Sequence, residues 1–583
     1  MSTNTDKTLI TAHSATSPST HRVATLVEVP KLDTIPIIFI PGIMGSNIKH
    51  QTLGEVWKMP NSKVSGITVA KERSKLKPGD LQTQLDHIKT MVDASGDIVV
   101  DPRLKLDEST LRKRYWGTVH WDSYGDILTY LQLAFNQVSL DAKPLSPGPG
   151  GIAGMHRTRQ HTKQQEMIHE WKSLLDQKEI SRWHAIESFQ ATSAAEIEHL
   201  KKFNFPVYGM GYNWLQSNED SALIILKKMQ AIKAEYGARF HKFILVTHSM
   251  GGLVARRLSQ LCGGDIAGIA HTVMPADGAP ATYRRIVSGS YEGGGVVNWI
   301  TSFVLGKDAE HVTAVLANAP GGLELLPNAE YNSRKPWLTL QGHNEKNQLV
   351  QTHLPSKNAR GEIDPYEQIY KSDKVWWEMV KEELIDPAKL IKNDNPDKQV
   401  KEIYKQKIDK VRQFHSIIAK KYHPHSYVSY CHDHKYMSFG ALTWTLDYAL
   451  GGLTAEQIKR LPRVSAKEIE IHNKGIAEEA MKMGLDAKYY IKANVKENNG
   501  LRYIRLQSGK LGTFKISSQD APGDGTVPYQ SGRGPLKQNG VKQVFQMTGF
   551  DHQGACKDLH VKRSVLYSIV KIIKENNIQP KYR

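Results

Sequence analysis

The stretch Phe243-Ile-Leu-Val-Thr-His-Ser249-Met-Gly-Gly-Leu-Val-Ala255 decides the fold. Its first half is apolar without alternation, as a strand covered on both faces reads. Its second half opens at paired glycines and continues as a helix over 250–261. A sharp turn between the two presents Ser249 at the carboxyl end of a sheet, above a helix N-terminus whose dipole favours negative charge. Gly251 and Gly252 remove side chains where strand and helix must approach. Thr247 stands where the first glycine of a G-x-S-x-G turn is expected; it crowds the turn and leaves the nucleophile in place.

Outward from this turn, short apolar runs alternate with amphipathic segments. Residues 36–40, 205–212, 242–246 and 269–274 read as strands, and 220–236 as a helix with Ile224, Leu226, Met229 and Ile232 on one face. Such alternation builds a parallel, doubly wound sheet. It stops after about residue 285. Residues 376–392 and 398–421 read as helices, the second carrying Val400, Ile403, Val411, Phe414 and Ile418 on one side. Trp376 and Trp377 read as packing inside this part. A strand returns at 427–431, then a helical insert with a capping box at Ser465 and Glu468, a strand at 541–547 and a closing helix at 560–577. The chain divides accordingly: a disordered tail over 1–30; a core over 31–284 interrupted at about 61–200; a helical cap over 285–424; and the rest of the core over 425–583, interrupted at about 438–510. Residues 144–154 are a loop by composition.

A serine hydroxyl is a weak nucleophile until a base accepts its proton, and that base needs a third group to orient it. In sheets of this kind the partners follow in the order serine, acid, histidine. Asp524 lies in Ala521-Pro-Gly-Asp-Gly-Thr-Val-Pro528, a glycine-rich turn, and His552 follows in Thr548-Gly-Phe-Asp-His-Gln-Gly554, just after the last strand. Asp520 and Asp551 are the rival acids. Asp520 lacks the glycine turn, and Asp551 directly precedes the base it would have to orient. An oxyanion also needs donors. The backbone N–H of Met250 follows the nucleophile, and the loop Pro41-Gly-Ile-Met-Gly-Ser-Asn47 offers Ile43, with Met44 as the alternative.

The motifs I-F-I-P-G-I-M-G-S-N (38–47), Y-N-W (212–214), T-H-S-M-G-G-L-V-A-R (247–256), L-E-L-L-P (323–327) and G-D-G-T-V-P (523–528) resemble, in content and order, the lecithin:cholesterol acyltransferase and GPI-inositol-deacylase branch of the α/β hydrolases. The resemblance implies an α/β-hydrolase fold with large helical cap insertions and a serine esterase of the phospholipase A type. It implies Ser249, Asp524 and His552 as triad, Ile43 and Met250 as oxyanion donors, and phospholipid acyl esters as substrate. His271-Thr-Val-Met-Pro-Ala-Asp-Gly-Ala-Pro-Ala-Thr-Tyr-Arg-Arg285, with the large inserts, is similar to the lipase effectors of bacterial type VI secretion. That narrower likeness, to which a Ser- and Thr-rich N-terminus over 1–22 without the apolar run of a signal peptide contributes, implies a toxin made in the bacterial cytoplasm and delivered by the secretion spike into a competitor's periplasm. It also implies a cognate immunity protein in the producer.

Composition sets the remaining expectations. Lysine and arginine outnumber acids 77 to 59, for a formal charge of +18. This suits an anionic surface such as phospholipid. Arg157, Arg159, Lys163 and Lys172 fall near one another, yet no zinc-finger or basic-zipper spacing points to nucleic acid. A non-catalytic basic module on the same scaffold is the rival reading, and an inositol acyl ester, a thioester or transfer to an alcohol the rival chemistries. Three cysteines exclude a disulfide framework, and a single Cys431–Cys556 bridge stays open. Residues 296–305, with Trp299, Phe303 and Leu305, read equally as a lid meeting acyl chains and as a buried cap helix. The histidines 423, 425, 432 and 434 do not complete a recognised metal pattern, so no metal or other cofactor is expected. Asn393, Asn395 and Asp397 leave a structural calcium open without the glycine and terminal glutamate of an EF-hand.

Overall fold

The computed structural model describes residues 9–11, 26–28, 32–58, 75–140, 167–187, 189–289, 306, 308–483, 500–506 and 511–581. Six strands form its central sheet: β1 (Ile37–Ile40), β2 (Val207–Gly209), β3 (Phe243–His248), β4 (Ile266–Thr272), β5 (Ser426–Cys431) and β6 (Val541–Met547). Their spatial order is β6-β5-β4-β3-β1-β2, and every neighbouring pair is parallel.

The sheet has helices on both faces because its strands are apolar on both. Ile38, Ile40 and Leu245 pack toward α2 (Asn218–Tyr236) and α3 (Gly251–Cys262), with Ile225, Met229, Leu253 and Leu258. Ile37, Phe39, Ile244 and Val246 pack on the opposite face toward α1 (Trp121–Asn136) and α5 (Leu559–Glu575), with Leu128, Leu131, Val565 and Ile569. The fold is that of an α/β hydrolase.

All six expected core strands are present. The buried stripe of α2 runs through Ala222, Ile225, Met229 and Ile232, whereas the expected Ile224 is 41% exposed. The one-residue difference follows from helical spacing, since Ile225 lies four residues before Met229 and seven before Ile232.

The insertions are not helical throughout. A five-stranded mixed sheet joins Leu338–His343 and Leu349–Leu354, from the 285–424 cap, with Leu442–Leu446 and Leu501–Arg505 from the 438–510 interruption and Leu511–Ile516 just beyond its expected end. Two separate insertions thus build one layer, which only pairing across long sequence distance could reveal. The continuous helix expected over 376–392 is also corrected. Only short turns at Glu382–Leu384 and Leu390–Asp394 form there. Pro387 lacks the N–H a continuing helix needs, and the Asp386 carboxylate accepts the N–H groups of Ile391 and Lys392 to start a new turn. Trp376 and Trp377 are buried, and the Trp376 ring stacks on Phe514 at 3.6 Å. The helix α4 (Val400–Ile418) buries Tyr404, Ile408, Val411, Phe414 and Ile418. The capping box forms at Ser465 and Glu468.

Within the N-terminal segment expected to be a tail, Leu9–Thr11 and Leu26–Glu28 pair antiparallel. Among the described residues no helix is long and apolar enough to cross a membrane. All three cysteines are free thiols, so the bridge left open between Cys431 and Cys556 is absent. Cys431 instead directs its Sγ to the carbonyl of Phe550.

Candidate active site

Ser249 directly follows β3, in a backbone conformation that side-chain-bearing residues rarely adopt, with φ of 53°. Two backbone bonds hold it there: its N–H donates to Thr272 O at 3.0 Å, and its carbonyl accepts from Gly252 N at 2.9 Å. The close approach that demands glycine is sharpest at Gly251, where a Cβ would lie 2.4 Å from the carbonyl oxygens of Ile40 and Pro41. Thr247 is accommodated because its hydroxyl shares a 3.0 Å hydrogen bond with Nδ1 of His271, its register partner on β4.

Asp524 and His552 come to the same point from two loops. His552 Nδ1–H donates to Asp524 Oδ2 at 2.7 Å, and the Ser249 hydroxyl donates to His552 Nε2 at 2.9 Å. Both directions follow from chemistry. A carboxylate oxygen only accepts, so the proton sits on Nδ1 and the Nε2 lone pair faces the serine. Asp524 Oδ1 is held by the backbone N–H groups of Thr526 and Val527 at 2.9 and 2.7 Å. The turn that creates this cradle needs φ of 87° at Gly525. The His552 N–H donates to the Asp524 carbonyl at 2.8 Å, so backbone and ring of the candidate base are tied to one residue. Ser249 and Asp524 are 3% and 2% exposed, which places their hydrogen bonds away from competing water.

The rival acids are engaged elsewhere. Asp520 accepts the N–H groups of Gly440 and Ala441, and Asp551 that of Gly554.

The loop after β1 lies against the serine. A Cβ on Gly42 would stand 2.8 Å from Ser249 Cβ and 3.3 Å from its Oγ. The Gly42 N–H donates to Tyr124 Oη at 3.2 Å, while among the described residues no backbone acceptor takes the N–H of Ile43 or of Met250. Asn47 pins the loop by donating to the carbonyls of Gly117 and Val119. Y-N-W supports it from the side: the Tyr212 N–H donates to Ser46 Oγ, and the Asn213 amide donates to Thr90 O. L-E-L-L-P braces a different loop, the Leu325 carbonyl receiving the Ala279 N–H. Its Glu324 accepts the N–H of Asn218 at the start of α2, and burial pushes that carboxyl up to about 8.

Trp299, Phe303, Leu305, Arg157, Arg159, Lys163 and the 144–154 loop fall outside the described residues. His425 bonds Glu575 at 2.9 Å, and the His432 ring lies 4.8 Å from that of Tyr529. Asn393 and Asp397 are exposed, and the Asn395 amide points to Ile391 O. Among the described residues no group of three or more His, Cys, Asp and Glu is placed to hold a metal ion. Sequence reasoning missed two polar side chains beside the serine, Tyr124 and His248. Tyr124 carries no motif, and His248 is only the variable residue of the turn.

The family model described as lecithin:cholesterol acyltransferase matches residues 175–533, more than half of the chain, taking in Ser249 and Asp524 and ending before His552. The chain belongs to the lecithin:cholesterol acyltransferase family. That membership agrees with the motif resemblance and with chemistry on acyl esters. Among solved structures, the Tle4–Tli4 complex contains a chain 26% identical to this one with a TM-score of 0.69; the match covers 93% of this chain and 99% of that one. This family member is thus similar to Tle4 over nearly its whole length. Phospholipase PlaB from Legionella pneumophila is matched at 10% identity and a TM-score of 0.14, over 57% of this chain and 73% of that one. No curated protein sequence matches.

Proposed function

We propose that this chain is a serine phospholipase of the A type that hydrolyses acyl esters of membrane phospholipids. The observation carrying the reading is the unbroken line from Ser249 Oγ through His552 to Asp524, with contacts of 2.9 and 2.7 Å. His552 Nε2 takes the hydroxyl proton as Oγ attacks the ester carbonyl carbon, and Asp524 steadies the resulting imidazolium. The N–H groups of Ile43 and Met250 receive the developing oxyanion. Collapse breaks the bond to the glycerol oxygen, which leaves with the proton from His552. Water, deprotonated by the same nitrogen, then releases the fatty acid and restores Ser249. Every step uses groups of this chain, substrate and water.

The likeness to Tle4 supports a biological setting: an antibacterial effector exported by a type VI system, carried by its spike and acting in a target periplasm. The neighbour was solved bound to Tli4; for this chain the corresponding proposal is a cognate immunity protein that binds it in the producer. The family name favours one second chemistry, transfer of the acyl group to an alcohol.

The test is to incubate wild type and Ser249→Ala with mixed bacterial phospholipids, with and without an added alcohol, and identify products by mass spectrometry. Free fatty acid and lysophospholipid from wild type alone are expected. Equal release by both overturns the nucleophile, and a new ester as the main product replaces hydrolysis with transfer. A signal-peptide fusion should be toxic to a bacterial host, and the unfused protein far less so; equal toxicity removes the periplasmic target.

A further inference from the structure

His248, the residue before the candidate nucleophile, is 4% exposed and hydrogen-bonded through both ring nitrogens. Its Nε2 lies 2.9 Å from the backbone carbonyl oxygen of His552, and its Nδ1 lies 3.0 Å from Tyr124 Oη. A carbonyl oxygen only accepts, so the ring carries its hydrogen on Nε2. Burial pushes the imidazole down to about 3, which keeps it neutral and leaves Nδ1 as an acceptor. The Tyr124 hydroxyl must therefore donate to Nδ1, and burial drives that phenol's pKa up, so it keeps its proton. Tyr124 Oη in turn accepts the Gly42 N–H at 3.2 Å. All four groups have one consistent polarity: Gly42 N–H to Tyr124 O–H to His248 Nε2–H to the carbonyl of His552.

This line begins in the loop that lies against Ser249 and ends on the residue proposed as base. The contacts along it leave no slack. A Cβ on Gly42 would come within 3.0 Å of His248 Nδ1, and one on Gly45 within 2.8 Å of Tyr124 Oη. The His552 backbone is consequently gripped on both sides, its N–H by Asp524 O and its carbonyl by His248.

Resting on the proposed serine mechanism, we infer that Tyr124 and His248 are positioning residues that set the distance between the oxyanion loop and the base. Neither touches the reacting atoms. The inserted segment that supplies Tyr124 on α1 thereby becomes part of the site's construction. An ester carbonyl must meet Oγ and the loop donors at once, and misplacement by about 1 Å costs on the order of 100-fold in rate.

The experiment compares wild type, Tyr124→Phe, His248→Phe, His248→Gln and Ser249→Ala. Readouts are kcat and KM on a short-chain chromogenic ester, the rate at which an organophosphonate labels the active serine, and the unfolding midpoint. Tyr124→Phe removes only the hydroxyl, and His248→Phe puts a larger ring without nitrogens in place of the imidazole; kcat and labelling rate per titrated site are expected to fall by about 10- to 100-fold with KM little changed. His248→Gln, which restores a donor to the His552 carbonyl, is expected to recover part of the loss. Wild-type kcat and labelling rate in both Phe variants overturn the inference. So does lost activity that merely tracks lost folded protein, with each remaining site reacting at the wild-type rate. Activity surviving in Ser249→Ala would sink the serine mechanism itself, a result separable from either of these.

Discussion

His552 Nε2 accepts the hydroxyl proton of Ser249 at 2.9 Å, although 303 residues separate the two along the chain. Between them in sequence lie the cap layer and three of the six core strands, yet in space both sit at the carboxyl edge of one parallel sheet. Open parallel sheets gather reactive groups at this edge.

If this contact performs the chemistry, Ser249→Ala and His552→Ala should each lower kcat by roughly 10⁴- to 10⁶-fold with the unfolding midpoint nearly unchanged. The double variant should be no worse than either single one, because the residues act as a unit. Steady-state kinetics on a soluble ester checks this; additive losses would separate their roles. Asp524→Asn should lose about 10⁴-fold, because an amide in place of the carboxylate favours the wrong tautomer of His552.

Gly251→Ala tests the turn rather than the chemistry. The added methyl would meet two backbone carbonyl oxygens at 2.4 Å, neither of which can rotate away. Destabilisation of about 1–3 kcal/mol or more is expected in chemical denaturation. An unchanged midpoint would mean that the elbow is looser than these contacts require.

Glu324 predicts a pH dependence. Its folded pKa of about 8 stands above the ordinary 4.5 because burial disfavours the charge. Between those values the folded chain holds a proton that the unfolded chain has released, so this group's contribution falls as pH rises through the window and levels off above about 8. Glu324→Gln keeps an acceptor for the Asn218 N–H and removes the titration. Relative to wild type its unfolding midpoint should climb as pH is raised from about 5 to about 8. A constant difference across that range would contradict the assignment.

Buried histidines act in the opposite direction. Burial holds His248 and His271 down to about 3, and His87, His415 and His423 down to about 4. Below 6.5 the unfolded chain takes up protons that the folded chain refuses, so their stabilising contribution is lost as pH falls from about 6.5 towards 4. Thermal melts should show acid lability across that interval. His415→Gln should flatten part of it.

The last helix is tied to the segment between β1 and β2 by a forked ion pair. Arg563 Nε and Nη2 each reach a Glu170 oxygen at 2.9 Å, and Tyr130 donates to the same carboxylate at 2.8 Å. Arg563→Ala would leave Glu170 buried without its cation, so a loss of about 3–5 kcal/mol is expected. Replacing both partners with apolar side chains should recover much of it, which a double-mutant cycle would measure.

What the sequence by itself determined is local. The strand–turn–helix around Ser249 and the glycine turn around Asp524 are written in contiguous residues, because a two-sided apolar run, a serine and paired glycines leave few other conformations. The central strands Ile37–Ile40, Phe243–His248 and Ile266–Thr272 were legible because burial on both faces favours apolar runs, whereas the edge strand Val541–Met547, with Lys542, Gln543 and Gln546, is only partly buried. Motif order added the family, and chain order brought His552 forward as the base.

Only the tertiary structure decided the rest. The cap sheet joins strands from two insertions, and strand pairing leaves no periodic trace of its partner. The helix read over 376–392 yielded to Pro387 and to the competing acceptor on Asp386. The placement of His552 against Ser249, and of Tyr124 and His248 beside them, depends on side-chain hydrogen bonds between residues 124 to 304 positions apart. Such bonds are chosen by the packing of whole elements, which brings together donors and acceptors that no local pattern links.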